Sequence, residues 1–456
     1  MDLIENRTAW SAPGGPSPLT SEKRHATLVQ MTPDTSPAPA PVSASGRPLA
    51  PNWWWVVATI WSGQAFSVIT SGASGWAIIW HVTTTEGSAL KLALVMALSQ
   101  LPLGLLAPLG GLAADRYNRR AVMIVSDLGA GSMSLALAVL AWFGHGGFAL
   151  ICVFAALRSC FQAFHFPAMS AAMPMLVPDK HLMRINTLDQ AMSAISNIGA
   201  PAIGIALYSA FGLPFTLGLE FTGALLAVAG LALAAIPSVE AEMPPTVMGQ
   251  TRQGWRALST NRGLVVLIAA LTAGMMVFAA IQAVYPLMAK QHFGADGAMV
   301  SLAEAITGSC MLAGALIMMA WGGGKRLALL MGCATLIVAP PIAAIGSLPP
   351  GGFWALVALM GFACVFLAWF HAPLMTLIQR HAGEDKAGRA LGFFQMMIGL
   401  AVPVGVALGG AIAERTGVPA LFTAAGLIFG ALGAFMCAAP SVRALDAPAP
   451  AADGPQ

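Results

Sequence analysis

The sequence predicts an all-α integral membrane protein of twelve transmembrane helices, arranged as two pseudo-symmetric six-helix halves. Three observations lead there. Only 9% of the 456 residues are charged, against roughly 25% in a soluble domain. Twelve apolar stretches are each long enough to cross a bilayer as a helix, which takes about 20 residues. The last six stretches repeat landmarks of the first six at an offset near 206.

In chain order the predicted spans are 53–80, 89–114, 120–143, 147–169, 187–211, 214–236, 263–288, 298–320, 327–347, 352–377, 390–413 and 418–439. Residues 1–50 are rich in Pro, Ser and Ala. They lack an apolar signal-peptide core and read as a disordered cytoplasmic arm. Trp53-Trp54-Trp55 then opens the first span as an interfacial aromatic anchor. The interval 237–261 is the longest polar stretch inside the membrane domain and separates a first half, 51–236, from a second, 262–440. Residues 441–456 form a second disordered tail. Several spans contain Gly and Pro, which membrane helices tolerate because neighbouring helices re-satisfy the freed backbone groups.

The repeat is legible in four places. Phe164-His165-Phe166-Pro167-Ala168-Met169 closes the fourth span, and Phe370-His371-Ala372-Pro373-Leu374-Met375 closes the tenth. Arg119-Arg120 matches Lys325-Arg326, Arg184 matches Arg389, and Pro201 matches Pro403. Parallel six-helix repeats of this kind place a substrate site near the bilayer midplane between the halves.

Orientation follows from Lys and Arg. With the N-terminus in the cytoplasm, eighteen of the 22 fall on the cytoplasmic side; Lys91, Lys290 and Arg415 fall on the other, and Arg158 lies inside a span. The expected setting is therefore a multi-pass membrane protein with both termini cytoplasmic. The net charge of +3 records this asymmetry and gives no sign of a nucleic-acid partner. The six cysteines are scattered through apolar spans, with no metal-ligand spacing and no disulfide framework. No phosphate-binding Gly-x-x-x-x-Gly-Lys-Ser/Thr loop is present, and no hydrolase or metal motif, so neither an enzyme nor an ATP-driven pump is expected from this chain.

Between the second and third spans lies the charge-dense turn Gly110-Gly111-Leu112-Ala113-Ala114-Asp115-Arg116-Tyr117-Asn118-Arg119-Arg120. Gly111 to Arg120 completes a Gly-x-x-x-Asp-Arg-x-x-Arg-Arg pattern, and the chain resembles a major facilitator superfamily transporter. Three further stretches resemble the drug:proton antiporter branch that includes macrolide-efflux and enterobactin-export proteins. They are Trp61 to Ser67, Arg119 to Asp127, and Pro167-Ala168 with Leu176-Val177-Pro178. The resemblance covers about residues 53–440. It implies alternating access, with export of an amphipathic small molecule or drug in exchange for protons. It implies no cofactor, the proton gradient being the energy source, and a monomer in the lipid bilayer as the working unit. A siderophore or lysolipid carrier of the same fold, an importer, and a non-transporting sensor or accessory subunit are the alternatives.

The resemblance also assigns roles. Gly111, Asp115, Arg116, Arg119 and Arg120, with Asp127 and Arg389, correspond to a latch that closes the cytoplasmic side. In that latch Asp115 caps the N-terminus of the eleventh span, where a carboxylate meets unpaired N–H groups and the positive dipole end. Arg158 matches an arginine that antiporters of the superfamily link to proton movement. The family pattern continues with glycine where this chain has Phe161-Gln162-Ala163, so a structural salt bridge is the competing reading. Gly199, Pro201 and Gly204 resemble the antiporter signature of the fifth span, with Ala200 in place of one glycine and Ile205 in place of another; Pro201 should bend the helix and the glycines should allow close packing.

Other candidates come from the residues themselves. Arginine at mid-helix costs about 2.5–3.5 kcal/mol on insertion scales, so Arg158 should face inward and be paired. Glu220 and Glu304 are intramembrane acids, suited to protonation or to attracting a cation. Long acidic side chains near a span end can also reach the headgroups. His165 and His371 are repeat-related, and histidine changes charge near neutral pH, which leaves a proton relay or a packing role open. Gln64, Gln282 and Tyr285 are polar groups in apolar spans, available to line a cavity or to bond helix to helix.

Overall fold

The computed structural model describes residues 53–233, 255–256, 258–259, 261–382 and 384–446, although not every side chain within them. The arm at 1–50, most of the linker at 237–261 and the tail beyond Asp446 lie outside the described residues. Among those described, every regular element is helical.

The first half comprises α1 (Trp53–Thr85), α2 (Ala89–Arg116), α3 (Arg119–Trp142), α4 (Phe148–Leu176) and α5 (Asp179–Leu233). The second comprises α6 (Arg262–Leu287), α7 (Gly297–Trp321), α8 (Leu327–Ile345), α9 (Phe353–Leu367), α10 (His371–Ala382), α11 (Glu384–Thr416) and α12 (Val418–Ala438). The starts of α2, α3, α6 and α7 carry side-chain caps that satisfy otherwise unpaired N–H groups. Ser88 accepts from Lys91 N, Asn118 from Arg120 N and Ala121 N, Asn261 from Gly263 N and Leu264 N, and Asp296 from Met299 N.

Three boundaries differ from expectation. The fifth and sixth spans form one run, α5, interrupted at a single residue: Gly212, at φ 79° and ψ 175°, a conformation that glycine reaches without a Cβ penalty. The Phe164–Met169 motif does not end the fourth span, because α4 continues through Pro167 to Leu176. Its repeat partner behaves otherwise. The chain leaves the helix at 368–370 and restarts at His371, so Pro373 falls in a first helical turn, where a missing N–H removes no bond. The tenth span is thus α9 and α10 in series.

Among the described residues, ten helices are long and apolar enough to cross a membrane, counting Ile195–Leu233, which holds two spans, as one. The 33-residue α1 is not one of these ten and carries Gln64, Ser67, Thr70, Ser71 and Ser74; Gln64, Ser67 and Ser71 line the cavity described below. Trp53 stacks on His181 at 5.4 Å, and the exposed Trp54 and Trp55 stack on each other at 4.1 Å.

The packing repeats between halves. In the first, α1 packs on α5, α2 on α4, and α3 on α5; in the second, α6 packs on α11, α7 on α9, and α8 on α12. Across the halves α2 meets α11 and the first arm of α5 meets α7. One end of the bundle carries the arginines of the α2–α3 turn and is called the basic end; the other is the far end. Every hydrogen bond between halves among the described residues lies toward the far end. Glu414 Oε2 accepts from Ser88 Oγ at 3.1 Å and from Leu90 N at 3.1 Å, Gln291 Nε2 donates to Gly87 O at 2.6 Å, and Ser301 Oγ donates to Ala202 O at 2.5 Å. Gly410 brings α11 onto α2 there: a Cβ on it would lie 2.1 Å from Ala93 Cβ and 2.9 Å from Ala89 O.

The expected bend and glycine contacts of the fifth span resolve unequally. The helix remains regular through Pro201 and departs only at Gly212. Gly204 is the contact point, since a Cβ there would fall 2.2 Å from Ala73 O on α1, whereas a Cβ on Gly199 would meet nothing nearer than Ile203 Cδ1 at 3.7 Å. Gly204→Ala is therefore expected to lower the melting temperature in detergent, overpacking costing about 1–3 kcal/mol, while Gly199→Ala leaves it unchanged or raises it. Thermal scanning of the two purified variants reads the difference, and an equal effect of both would contradict this assignment of the α1–α5 contact.

Candidate functional site

Between the halves, at mid-depth, lies a cavity of about 980 Å³. Its two walls differ in chemistry. The first half contributes Asp127, Arg158, His165 and Glu220, together with Gln64, Gln100, Gln162, Asn197 and several serines. The second half contributes Met275, Phe278, Ala279, Val402 and Val406, with Gln282 as its one polar side chain among the described residues. The polar wall accounts for Gln64, Ser67 and Ser71 on α1.

A buried ion pair organises that wall. Arg158 on α4 and Glu220 on the second arm of α5 are 8% and 3% exposed. Arg158 Nε donates to Glu220 Oε1 at 2.7 Å. Arg158 Nη2 donates to Ser71 O at 2.6 Å and to Ser71 Oγ at 2.7 Å. Ser71 Oγ donates to Glu220 Oε1 at 2.9 Å, Ser134 Oγ donates to Glu220 Oε2 at 2.6 Å, and Gln162 Nε2 donates to Ser71 Oγ at 2.8 Å. Both expectations for Arg158, inward-facing and paired, are met by this geometry, and Glu220 does not reach the headgroups. A charge pair taken out of water is tolerated only when further hydrogen bonds satisfy it, and here two serines and a backbone carbonyl do so.

The second acid is differently placed. Asp127 Oδ2 accepts from Gln64 Nε2 at 3.0 Å, and Asp127 Oδ1 lies 3.5 Å from His165 Nε2, an ion-pair distance without hydrogen-bond geometry. Sequence reasoning placed Asp127 in the latch at the basic end. In the structure its side chain turns into the cavity wall, because position 127 on α3 shares the inward face with Ser126, Ala130 and Gly131. Gln64, Gln282 and His165 line the cavity as well. Tyr285 does not: it is 2% exposed in the core of the second half, and its hydroxyl has no partner. Glu304 is also away from the cavity and buried at 8% exposure, so it too does not reach the headgroups.

In the α2–α3 turn the arginines bond within their own half. Arg119 Nε donates to Ala114 O at 3.1 Å, Arg119 Nη1 contacts Met175 Sδ, and Arg120 Nη2 donates to Ala232 O at 2.5 Å. Arg116 is exposed. Together the arginines tie the basic ends of α2, α4 and α5. Of the two glycines, Gly110 makes the close approach, to Ala163 O on α4, whereas a Cβ on Gly111 would meet nothing within 4 Å. The side chains of Asp115, Arg389 and His371 lie outside the described residues.

Sequence reasoning missed Ser71, Ser134 and Gln162, which complete the ion pair, and Glu414 with Ser88 at the far end. Serines inside apolar spans are too common to mark a site. Glu414 sits among charged residues at a span end and reads as surface. Gln162 was visible only as a departure from the family pattern.

The network makes a stability prediction. Arg158→Met or Glu220→Gln alone leaves the partner without its counter-charge, a loss of about 3–5 kcal/mol for a buried pair. The double substitution should recover most of that loss. Unfolding in detergent, as a double-mutant cycle, measures it, and additive losses would contradict direct pairing.

Comparison with known proteins agrees with the architecture. A family model described as Major Facilitator Superfamily matches residues 60–397 and 280–455. Macrolide efflux protein A of Streptococcus pyogenes is 29% identical over 380 residues, covering 83% of this chain and 94% of that protein. Multidrug efflux pump Tap of Mycobacterium tuberculosis (strain ATCC 25618 / H37Rv) is 26% identical over 403 residues, covering 84% and 92%. Among solved structures, a bacterial homolog of the human lysosomal transporter Spinster, in an inward-facing and unoccupied conformation, aligns with a TM-score of 0.66 at 14% identity over 88% of this chain and 99% of that one. A point mutant of the nucleoside transporter NupG aligns with a TM-score of 0.59 at 15% identity, covering 83% and 96%. An all-helical bundle of two repeating halves around a central cavity, matched across nearly its whole spanning region by the family model, makes this chain a member of the Major Facilitator Superfamily of transporters.

Proposed function

We propose that this transporter exports an amphipathic small molecule, preferentially one bearing a cationic group, across the bacterial inner membrane in exchange for protons. The observation that carries the reading is the division of the cavity into a polar, acid-bearing wall and an apolar wall. An amphiphile satisfies both walls in one orientation. Its apolar body lies against Met275, Phe278, Val402 and Val406, and its charged end lies against the first half. Glu220 is neutralised by Arg158. Asp127 has only an amide donor and a histidine beside it, so it is the acid available to a substrate cation. The same acid disfavours an anionic siderophore. The efflux activities named for the similar streptococcal and mycobacterial proteins support export as the direction.

The distribution of Lys and Arg supports a cytoplasmic basic end. The far-end contacts then close the outside, and the structure corresponds to a state that receives substrate from the cytoplasm. In that state Arg119 and Arg120 bond within the first half. Closure of the basic end would bring the α2–α3 turn toward the start of α11, where the latch implied by the family pattern would engage.

Everted membrane vesicles given a fluorescent cationic amphiphile in the outer medium test the reading directly. Accumulation should require a transmembrane pH gradient and collapse when the gradient is discharged; gradient-independent uptake would refute proton exchange, and binding without uptake would point to a sensor. Two variants refine it. Asp127→Asn removes a charge-assisted contact of about 1.5–3 kcal/mol, so apparent affinity for the cation should fall roughly ten- to hundredfold while a neutral analogue of the same shape is unaffected. Asp115→Asn should insert at wild-type levels and transport poorly. Wild-type flux through the Asp115 variant would remove the latch from the mechanism.

A further inference from the structure

The second half contains a buried acid that the cavity does not use. Glu304 on α7 is 8% exposed. Among the described residues no salt bridge includes it and no hydrogen bond reaches its carboxylate; only its backbone carbonyl is engaged, by Thr307 Oγ1 at 3.1 Å. Packed in the same core cluster as Val300 and Ala303 of α7 is Tyr285 of α6, 2% exposed, whose hydroxyl is buried and has no partner. From α9 comes the buried thiol of Cys364, with Cys310 of α7 beside it. The stretch of α5 packed on this face of α7 presents Ile198, Ala202 and Ser209, none of them charged. An unpaired carboxyl on α7 and the buried, unpartnered hydroxyl of Tyr285 on α6 are thus both set among largely apolar side chains.

An unpaired charge in such a place is far more costly than a neutral acid. Natural interiors leave few buried polar atoms unsatisfied, and those that remain call for an explanation. Glu304 also lies seven residues into α7 from the far end, about 10 Å at the helical rise. It sits beneath the seal made by Glu414, Gln291 and Ser301. Opening of the far end would separate α7 from α5 and give the carboxyl access to that side.

We propose that Glu304 is the site of the coupling proton and that Tyr285 positions it, donating a hydrogen bond to the carboxylate when the proton has left. The inference rests on the proton-exchange reading above and adds to it the location of the proton. Substrate and proton are then held by side chains of different halves: the substrate cavity is dominated by first-half side chains, whereas Glu304 and Tyr285 belong to α7 and α6 of the second half, with α5 packed across α7. They would be linked through the closure of one half on the other, as a coupling free energy between sites, rather than by competition at a shared carboxylate.

The test uses the full-length protein in liposomes with ethidium as the probe and two readouts. One is accumulation driven by a pH gradient; the other is counterflow, the exchange of labelled for unlabelled ethidium with no gradient. Wild-type protein should show both, and a wild type without gradient-driven accumulation refutes the exchange reading itself. Given wild-type drive, Glu304→Gln should lose accumulation and keep counterflow, Tyr285→Phe should lose part of the drive, and Glu304→Asp should restore part of it. Gradient-driven accumulation by Glu304→Gln equal to wild type overturns the proposal. So does loss of counterflow in both Glu304→Gln and Glu304→Asp, which marks a structural residue. Loss of drive in Asp127→Asn together with its retention in Glu304→Gln overturns it in favour of the cavity acid.

Discussion

One buried ion pair holds four helices of the first half together. Arg158 comes from α4, Glu220 from the second arm of α5, Ser71 from α1 and Ser134 from α3. Neither Arg158 nor Glu220 could stand charged and alone at that depth, because an unpaired charge inside the membrane is costly. Each is acceptable because the other is present and the two serines complete its hydrogen bonds. The consequence reaches the cavity, whose polar wall is the exposed edge of this network, so the groups that stabilise the half also shape what the half can bind.

The second half follows the same helix packing with a different interior. Its contribution to the cavity is nearly all apolar, and its buried acid lies elsewhere, under the far-end contacts. The repeated landmarks of the sequence are therefore repeats of architecture rather than of chemistry. The histidine–proline motif makes the point: α4 runs unbroken through Pro167, whereas the chain unwinds at 368–370 ahead of Pro373. The basic turn behaves similarly, since the Gly322–Gly324 turn carries Lys325 and Arg326 but no acid, and all three of its glycines take positive φ.

The fold was legible because lipid imposes a length and an apolarity that few other settings require, and span positions follow from both. The inward facing of Arg158 was legible for the same reason, since an arginine at mid-helix has to find a partner; that the partner is Glu220, read as an acid for protons or cations, was not. What could not be read was which partner each charge takes. Asp127 looked like part of the basic turn because it is near it in sequence; its direction depends on the rotation of α3, which hydropathy alone does not fix. Tyr285 looked like a cavity donor because it is polar, yet α6 turns it into the core. Serines such as Ser71 and Ser134 acquire meaning only beside the charge they satisfy, and that neighbourhood exists only after folding.

At the far end, the carboxylate of Glu414 rests on the first turn of α2 in the opposite half, accepting from Ser88 Oγ and Leu90 N while remaining exposed to water. Solvent-exposed charge contacts contribute about 0–1 kcal/mol, and those at a helix N-terminus about 0.3–1 kcal/mol. Water replaces either partner as they part, so no desolvated charge is left behind in the transition state. The charge contact at this seal can therefore part at little electrostatic cost, and what keeps α2 and α11 in register there is the close fit of Gly410 against Ala93 and Ala89.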